Sequence, residues 1–534
     1  LIVILLLLIG CNRAPEEIVS EQLTALPLQV VDETPTPSLT ATNTPLSSPT
    51  TTSSPSPSPT PRPPTETPTT APETATPTLT PSATPTVTPE PTTPASSQKH
   101  PAAQVYETTI TLPTYPIWDY LIEQQDPLYN MPVLYLNRVA YDAAAPAVTS
   151  IDYKGIVIEN AYVTLTFIPE LGGRLYSAVV KSTGQEIFYQ NPVVKPSRYG
   201  ILQPVEANWW LAVGGMEWAY PTQEHGYRWG VPWDYELTET ATHTTITLSD
   251  TAPGRVGVIV EVTLPHDSAA FTVAPTLTNA GAESVPIQFW LNSALALSPD
   301  TMSPNTQFIV PVDDIVIHSR GGSGWQLPDA RETAPWPQVD SWNLGDYNQW
   351  ADYLGFFVPN MAAPFMAAYN PDTDLGVARL VQPGAVVGNK LFAFGSAFYD
   401  RSYTDNDSQY FEIWGGVNTG FWPEDDVQLA PDQSLQWQEQ WWPLAQLGGL
   451  TWANQQVAID VTQHEDDTTT LSALFSQPTQ GQLIISADDS PVLAESFNGR
   501  PDTPLRWDFS TKTIPLHIQI IDDTDGILLD YIFE

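Results

Sequence analysis

TTITLSD (244–250), GVIVEVTLP (257–265) and FTVAPTLTNAG (271–281) decide the fold class of this chain. Each alternates apolar and polar residues, and each is bounded by Gly, Pro, Asn or Asp. A period of two sends successive side chains to opposite faces of a pleated strand, so these are half-buried strands joined by turns. YVTLTFIP (162–169) repeats the pattern upstream. No stretch carries a sustained helical apolar period. The expected fold is therefore all-β, a large antiparallel sandwich over residues 105–447, rather than an α/β sheet. Beyond AQLGGL, the strands QVAIDVTQ, TTLSALF, GQLIISAD, PLHIQIID and ILLDYIFE suffice for a second, small Ig-like β-sandwich over residues 448–534.

Residues 12–104 have a different composition. Eighteen prolines fall between Pro35 and Pro94, among Thr and Ser. Such a segment has no core to bury and reads as a disordered, polyproline-biased stalk. Ahead of it stands LIVILLLLIG (1–10), too short to span a bilayer and about the length of a signal-peptide core. Leu8-Ile9-Gly10-Cys11 resembles the bacterial lipobox, whose Cys is lipidated. Residues 1–11 are thus expected to be a lipoprotein signal peptide, its start missing because no Met or basic segment precedes the apolar run. A lipidated Cys11 would hold the protein outside the cytoplasm, anchored to a bacterial membrane.

Cys11 is the single cysteine, so the fold must stand without disulfides. Sixty acidic residues against 19 basic ones give a net charge of -41. That balance argues against nucleic acid as a partner and against electrostatic adhesion to anionic lipid. The histidines are scattered without zinc-like spacing, so no metal is expected. DNDS (405–408) and EDD (424–426) read as solvated turns before Ca²⁺ sites. No nucleotide loop is evident, and no cofactor is expected.

Two aromatic stretches break the strand pattern. NWWLAVGGMEWAYPTQEHGYRWGVPWDY (208–235) holds Trp209, Trp210, Trp218, Trp229 and Trp233 around Glu217 and His225. QYFEIWGGVNTGFWPEDD (409–426) holds Glu412, Trp414 and Trp422. Aromatic rings stack on the apolar faces of sugars while a few fixed polar groups hold the hydroxyls, so these loops are candidate carbohydrate sites. The plain alternatives are a packed loop histidine, surface carboxylates, a turn arginine at Arg174 and core tryptophans. The other six histidines, His318 among them, lie in or beside strands, turns or the stalk and carry less promise.

Glu159-Asn160-Ala161-Tyr162, followed by Phe167-Ile168-Pro169-Glu170-Leu171-Gly172-Gly173-Arg174-Leu175, resembles the opening of galactose-mutarotase-like (aldose 1-epimerase-like) proteins. More specifically, the chain resembles an uncharacterised bacterial family of that superfamily. The motifs are Gly214-Gly215-Met216-Glu217-Trp218 with Pro221 and Glu224-His225, Phe289-Trp290-Leu291-Asn292, Gly388-Asn389-Lys390-Leu391, Tyr410-Phe411-Glu412-Ile413-Trp414-Gly415 and Trp441-Trp442-Pro443. They run in order over about 155–445. The resemblance implies a β-supersandwich with a sugar cleft on its concave face. It makes His225 the candidate general acid and Glu412 the candidate base. Arg174 would bind sugar hydroxyls, Glu217, Asn292 and Lys390 would line the pocket, and Trp218, Trp290 and Trp414 would stack. Mutarotases place two histidines on separate segments, whereas here only His225 sits in a candidate loop. The residue before it is Glu224, where relatives tend to have Gly. Three readings follow: a tethered sugar-binding protein with epimerase-like acid–base chemistry, a non-catalytic glycan binder, and a glycoside hydrolase or lyase using Glu217 and Glu412 as paired carboxylates.

Overall fold

The computed structural model describes residues 103–534, except 127–130, 198–208, 222–223, 227–229, 252–255, 396–400, 512–513 and positions 323, 360, 362, 383, 385, 402 and 489. Cys11, the stalk up to residue 102 and Trp229 lie outside the described residues.

The three alternating stretches are consecutive antiparallel strands, His243–Asp250, Gly257–Pro265 and Phe271–Thr278. Val258, Val260, Val262 and Leu264 are fully buried, while Ile259 and Glu261 between them are exposed. Each buried valine or leucine stabilises the fold by about 1.5–3 kcal/mol relative to exposure. A one-residue slip would exchange the two faces and forfeit all of them, so the register is strongly specified.

These strands belong to a nine-stranded antiparallel sheet that continues through Glu439–Ala445, Leu375–Leu380 and Phe365–Asn370. Among the described residues a second, thirteen-stranded sheet begins with Gln104–Thr114, and one continuous apolar core takes buried side chains from both sheets. The all-β class and the large sandwich are therefore as expected. Residues 452–533 add two four-stranded sheets around a core of their own.

Six strands of the larger sheet carry the site: β1 (Trp210–Ala219), β2 (Trp290–Leu295), β3 (Asp314–Arg320), β4 (Leu354–Phe357), β5 (Gly388–Ala393) and β6 (Phe411–Gly416). Their spatial order is β3-β4-β5-β6-β2-β1. Every neighbouring pair is antiparallel.

One face of this sheet turns to the core. There Asn389 of β5 accepts a hydrogen bond from Arg379 Nη1 at 2.6 Å. Arg379 in turn holds Glu439 through Nε at 2.6 Å and Nη2 at 2.9 Å, and both partners are wholly buried. This bidentate pair links strands of the smaller sheet and reaches across to the larger one. Gly415 of β6 lies directly above it. A Cβ there would stand 2.3 Å from both Arg379 Nη2 and Glu439 Oε1, so no side chain fits.

Candidate functional site

On the other face, register alone aligns a rank of side chains. Phe357 of β4 pairs with Lys390 of β5, Lys390 with Trp414 of β6, Trp414 with Asn292 of β2, and Asn292 with Glu217 of β1. Directly paired residues share a face of the sheet. Glu412 stands two residues before Trp414 and so on the same face, opposite Ala294 and Phe392. Five chain segments remote in sequence thus bring two carboxylates, a lysine, an amide and aromatic rings together.

Above this rank lies a cavity of about 410 Å³, within the range of small-ligand sites. Its aromatic walls include Trp210, Phe392, Tyr403, Tyr410, Trp414 and Phe421; its polar lining includes Glu224, His225, His318, Lys390 and Glu412.

His225 enters from the turn after β1. Its backbone is set by Gly226 at φ 64°, where a Cβ would lie 2.3 Å from the Tyr220 backbone, so only glycine fits. The imidazole stacks on Trp210 with centroids 4.2 Å apart and lies 5.1 Å from the Trp414 ring. Its Nδ1 meets Glu217 Oε1 at 2.7 Å. Against a carboxylate acceptor that nitrogen carries the proton.

Glu217 is spent on this task. It accepts from Arg174 Nη2 at 2.9 Å, from the Trp210 indole at 3.0 Å and from Asn292 Nδ2 at 3.0 Å. Burial alone would raise its carboxyl. The Arg174 charge and the His225 hydrogen bond outweigh it and bring it down to about 2. Glu217 therefore stays ionised and orients His225.

Glu412 has the opposite environment. It is 4% exposed and accepts from the Trp414 indole at 2.9 Å. Burial pushes its carboxyl above the usual carboxylate range, against the opposing charge of Lys390. Burial likewise pulls the Lys390 ammonium down to about 8, although Glu412 and Glu224 favour its charge. Lys390 Nζ sits 4.2 Å over the Trp414 ring and 5.0 Å from Phe421, a cation–π seat.

The sequence-derived candidates divide cleanly. His225, Glu412, Lys390 and Trp414 line the cavity together. Arg174, Glu217 and Asn292 do not line it; they form the buried support of His225, with Arg174 giving Nη1 to Gly214 O and Nη2 to Glu217, and Asn292 giving Nδ2 to Glu217. Trp218 is no stacking surface either: it is buried with its indole on Gly173 O. Trp290 is buried behind Trp414 and Phe421.

Two groups escaped the sequence reading. His318 lines the cavity, because a β-bulge between Ile317 and Ser319 makes it the extra residue of β3. Its Nε2 lies 3.4 Å from Glu224 Oε1, and burial holds the imidazole below its ordinary value. Glu224 lines the cavity beside His225 with φ 55°. The signal for His318 was the alternation of DIVIHSR, which opposes Val316 and His318 to buried Ile315 and Ile317. Among the described residues no group of three or more His, Cys, Asp or Glu is arranged to hold a metal ion. Asp405 and Asp407 instead pair with Lys195 and Arg401.

The sequence model of a family described as a domain of unknown function, DUF5107, matches residues 130–444, which contain every residue of the cavity. The chain belongs to the DUF5107 family. Among solved structures, a TPR-domain containing protein from Parabacteroides distasonis is similar at 20% identity over 65% of this chain, with a TM-score of 0.52. The chain covers 56% of that protein, little more than half its length. A galactose mutarotase-like protein from Clostridium acetobutylicum matches 55% of this chain and 96% of its own at 12% identity, TM-score 0.39. A galactose mutarotase related enzyme from Lactobacillus acidophilus matches 55% and 98% at 12% identity, TM-score 0.37.

Proposed function

We propose that this DUF5107 member binds a carbohydrate in the 410 Å³ cavity and runs acid–base chemistry at its anomeric centre. The reading rests on one observation: His225 and Glu412 open onto the same aromatic-walled space, one with its Nδ1 tied down and the other with its carboxyl raised. In the proposed step a protonated His225 gives its Nε2 proton to the ring oxygen while Glu412 takes the proton of the anomeric hydroxyl. The ring C–O bond breaks as the C1 carbonyl forms. Rotation about C1–C2 and the reverse transfers close the other anomer. Glu217 holds the imidazole in place through Nδ1 throughout, as a positioning residue. Phe392 and Tyr403, partly exposed rings of the cavity wall, offer surface for the sugar ring.

The hydrolase reading based on Glu217 and Glu412 loses support, since Glu217 is buried beneath His225 and saturated with donors. Lipidation of Cys11 and a position outside the cytoplasm remain part of the proposal, supported by the lipobox resemblance and the stalk composition.

The test is a glycan array on the full chain, followed by the Glu412→Gln variant on any hit. Sugar affinity should stay within about threefold while anomer exchange falls at least ~100-fold, the scale of general acid–base catalysis. Undiminished exchange would remove Glu412 from the mechanism.

A further inference from the structure

Glu224 lines the cavity, and the anomer-exchange step leaves it unused. In a regular strand adjacent side chains point to opposite faces, yet Glu224 and His225 both line the cavity. The backbone makes this possible by placing Glu224 at φ 55°, a left-handed conformation that glycine adopts freely and a glutamate does not. A glutamate held there at a cavity wall is strain spent at a site. Its carboxylate is met by His318, the bulged residue of β3. Two irregularities of backbone therefore converge on one carboxylate.

Lys390 is 3% exposed and lines the cavity. It feels the charge of both carboxylates. Among the described residues, however, neither carboxylate comes within salt-bridge distance of it, and it makes no hydrogen bond. The ammonium is seated over the Trp414 and Phe421 rings, and its N–H donors face the cavity, where the hydroxyls of a bound sugar would accept from them.

We propose that Glu224 and Glu412 act as a pair on a glycosidic bond held across this cavity, so that the protein hydrolyses a glycoside. The proposal rests on the sugar reading of the site. Glu412, starting protonated here where anomer exchange uses it ionised, donates its proton to the leaving glycosidic oxygen, a water attacks the anomeric carbon as that C–O bond breaks, and Glu224 takes the water's proton. Exchange with solvent then returns the proton from Glu224 and reprotonates Glu412. The environments suit these roles. Burial raises Glu412, whereas Glu224, which burial would also raise, is held below its ordinary value by His318.

The experiment uses the full chain with p-nitrophenyl α- and β-glycosides of the common hexoses, pentoses and hexuronic acids, and in parallel measures anomer exchange of the free sugars by NMR. The expected result is release of nitrophenol from at least one glycoside, with Glu224→Gln, Glu224→Gly and Glu412→Gln each losing at least ~100-fold. Glycine removes the left-handed strain, so Glu224→Gly should melt no lower than the parent while losing hydrolysis. A merely structural glutamate would not separate these readouts. Anomer exchange without hydrolysis of any glycoside overturns this proposal and leaves the sugar reading standing. Hydrolysis untouched in both Glu224 variants overturns the pair. Neither exchange nor hydrolysis overturns both readings.

Discussion

Glu217 and Glu412 are the same side chain on neighbouring ranks of one sheet, and their surroundings make them different chemical groups. Glu217 gathers Arg174, His225, Trp210 and Asn292 and is brought down to about 2. Its folded-state value lies below the ordinary 4.5, so its contribution to stability is full above about pH 4.5 and is lost as the pH falls toward 2. The loss over that window is on the order of 3 kcal/mol. In Glu217→Gln that acid limb should flatten. The variant should already be less stable at pH 7 by about 3–5 kcal/mol, because Arg174 keeps its charge without a partner. Urea midpoints from pH 2 to 7 measure both effects, and an unchanged acid limb would contradict the assignment. Arg174 and Glu217 were visible in the sequence as unusual polar residues in a glycine-rich setting. Their role was not, because a buried hydrogen-bond network has no signature in one dimension.

The strand is where sequence and site meet. Period-two alternation identified the strands at 243–250, 257–265 and 271–278 because one face of each is buried and the other is not. It did not identify the site, for the rank Phe357, Lys390, Trp414, Asn292, Glu217 is a product of register between strands up to 197 positions apart. Alternation in DIVIHSR put His318 on the face away from the core, but the bulge that turns it into the cavity and the left-handed turn at Glu224 leave no such pattern. β6 shows the two-sidedness most plainly: Glu412 and Trp414 serve the cavity, while Gly415 accommodates the Arg379–Glu439 pair behind it. Gly415→Ala should destabilise the fold by about 1–3 kcal/mol, since neither buried partner has room to retreat. Gly322→Ala, where a Cβ would meet nothing within 4 Å, should shift the urea midpoint little. Equal midpoints for the two variants would contradict this packing.

At the scale of the whole chain, the sequence runs from the lipobox-like Cys11 through a proline-rich segment to the β-sheet regions. In our proposal it serves to hold a sugar-facing cavity away from a membrane. The net charge of -41 gives the protein no electrostatic hold on anionic lipid, so the proposed anchoring would rest on the cysteine alone. On this proposal, Cys11→Ser in a bacterial host should move the protein from the membrane to the soluble fraction and abolish incorporation of a labelled fatty acid. Retention at the membrane without label would point to another anchor. The central claim concerns the cavity itself and is tested most directly by two-dimensional exchange NMR on a sugar that the unaltered protein binds. The account predicts exchange cross-peaks between the α and β anomers that grow with protein concentration, well above the rate in buffer. Saturating binding with exchange at the buffer rate would contradict it.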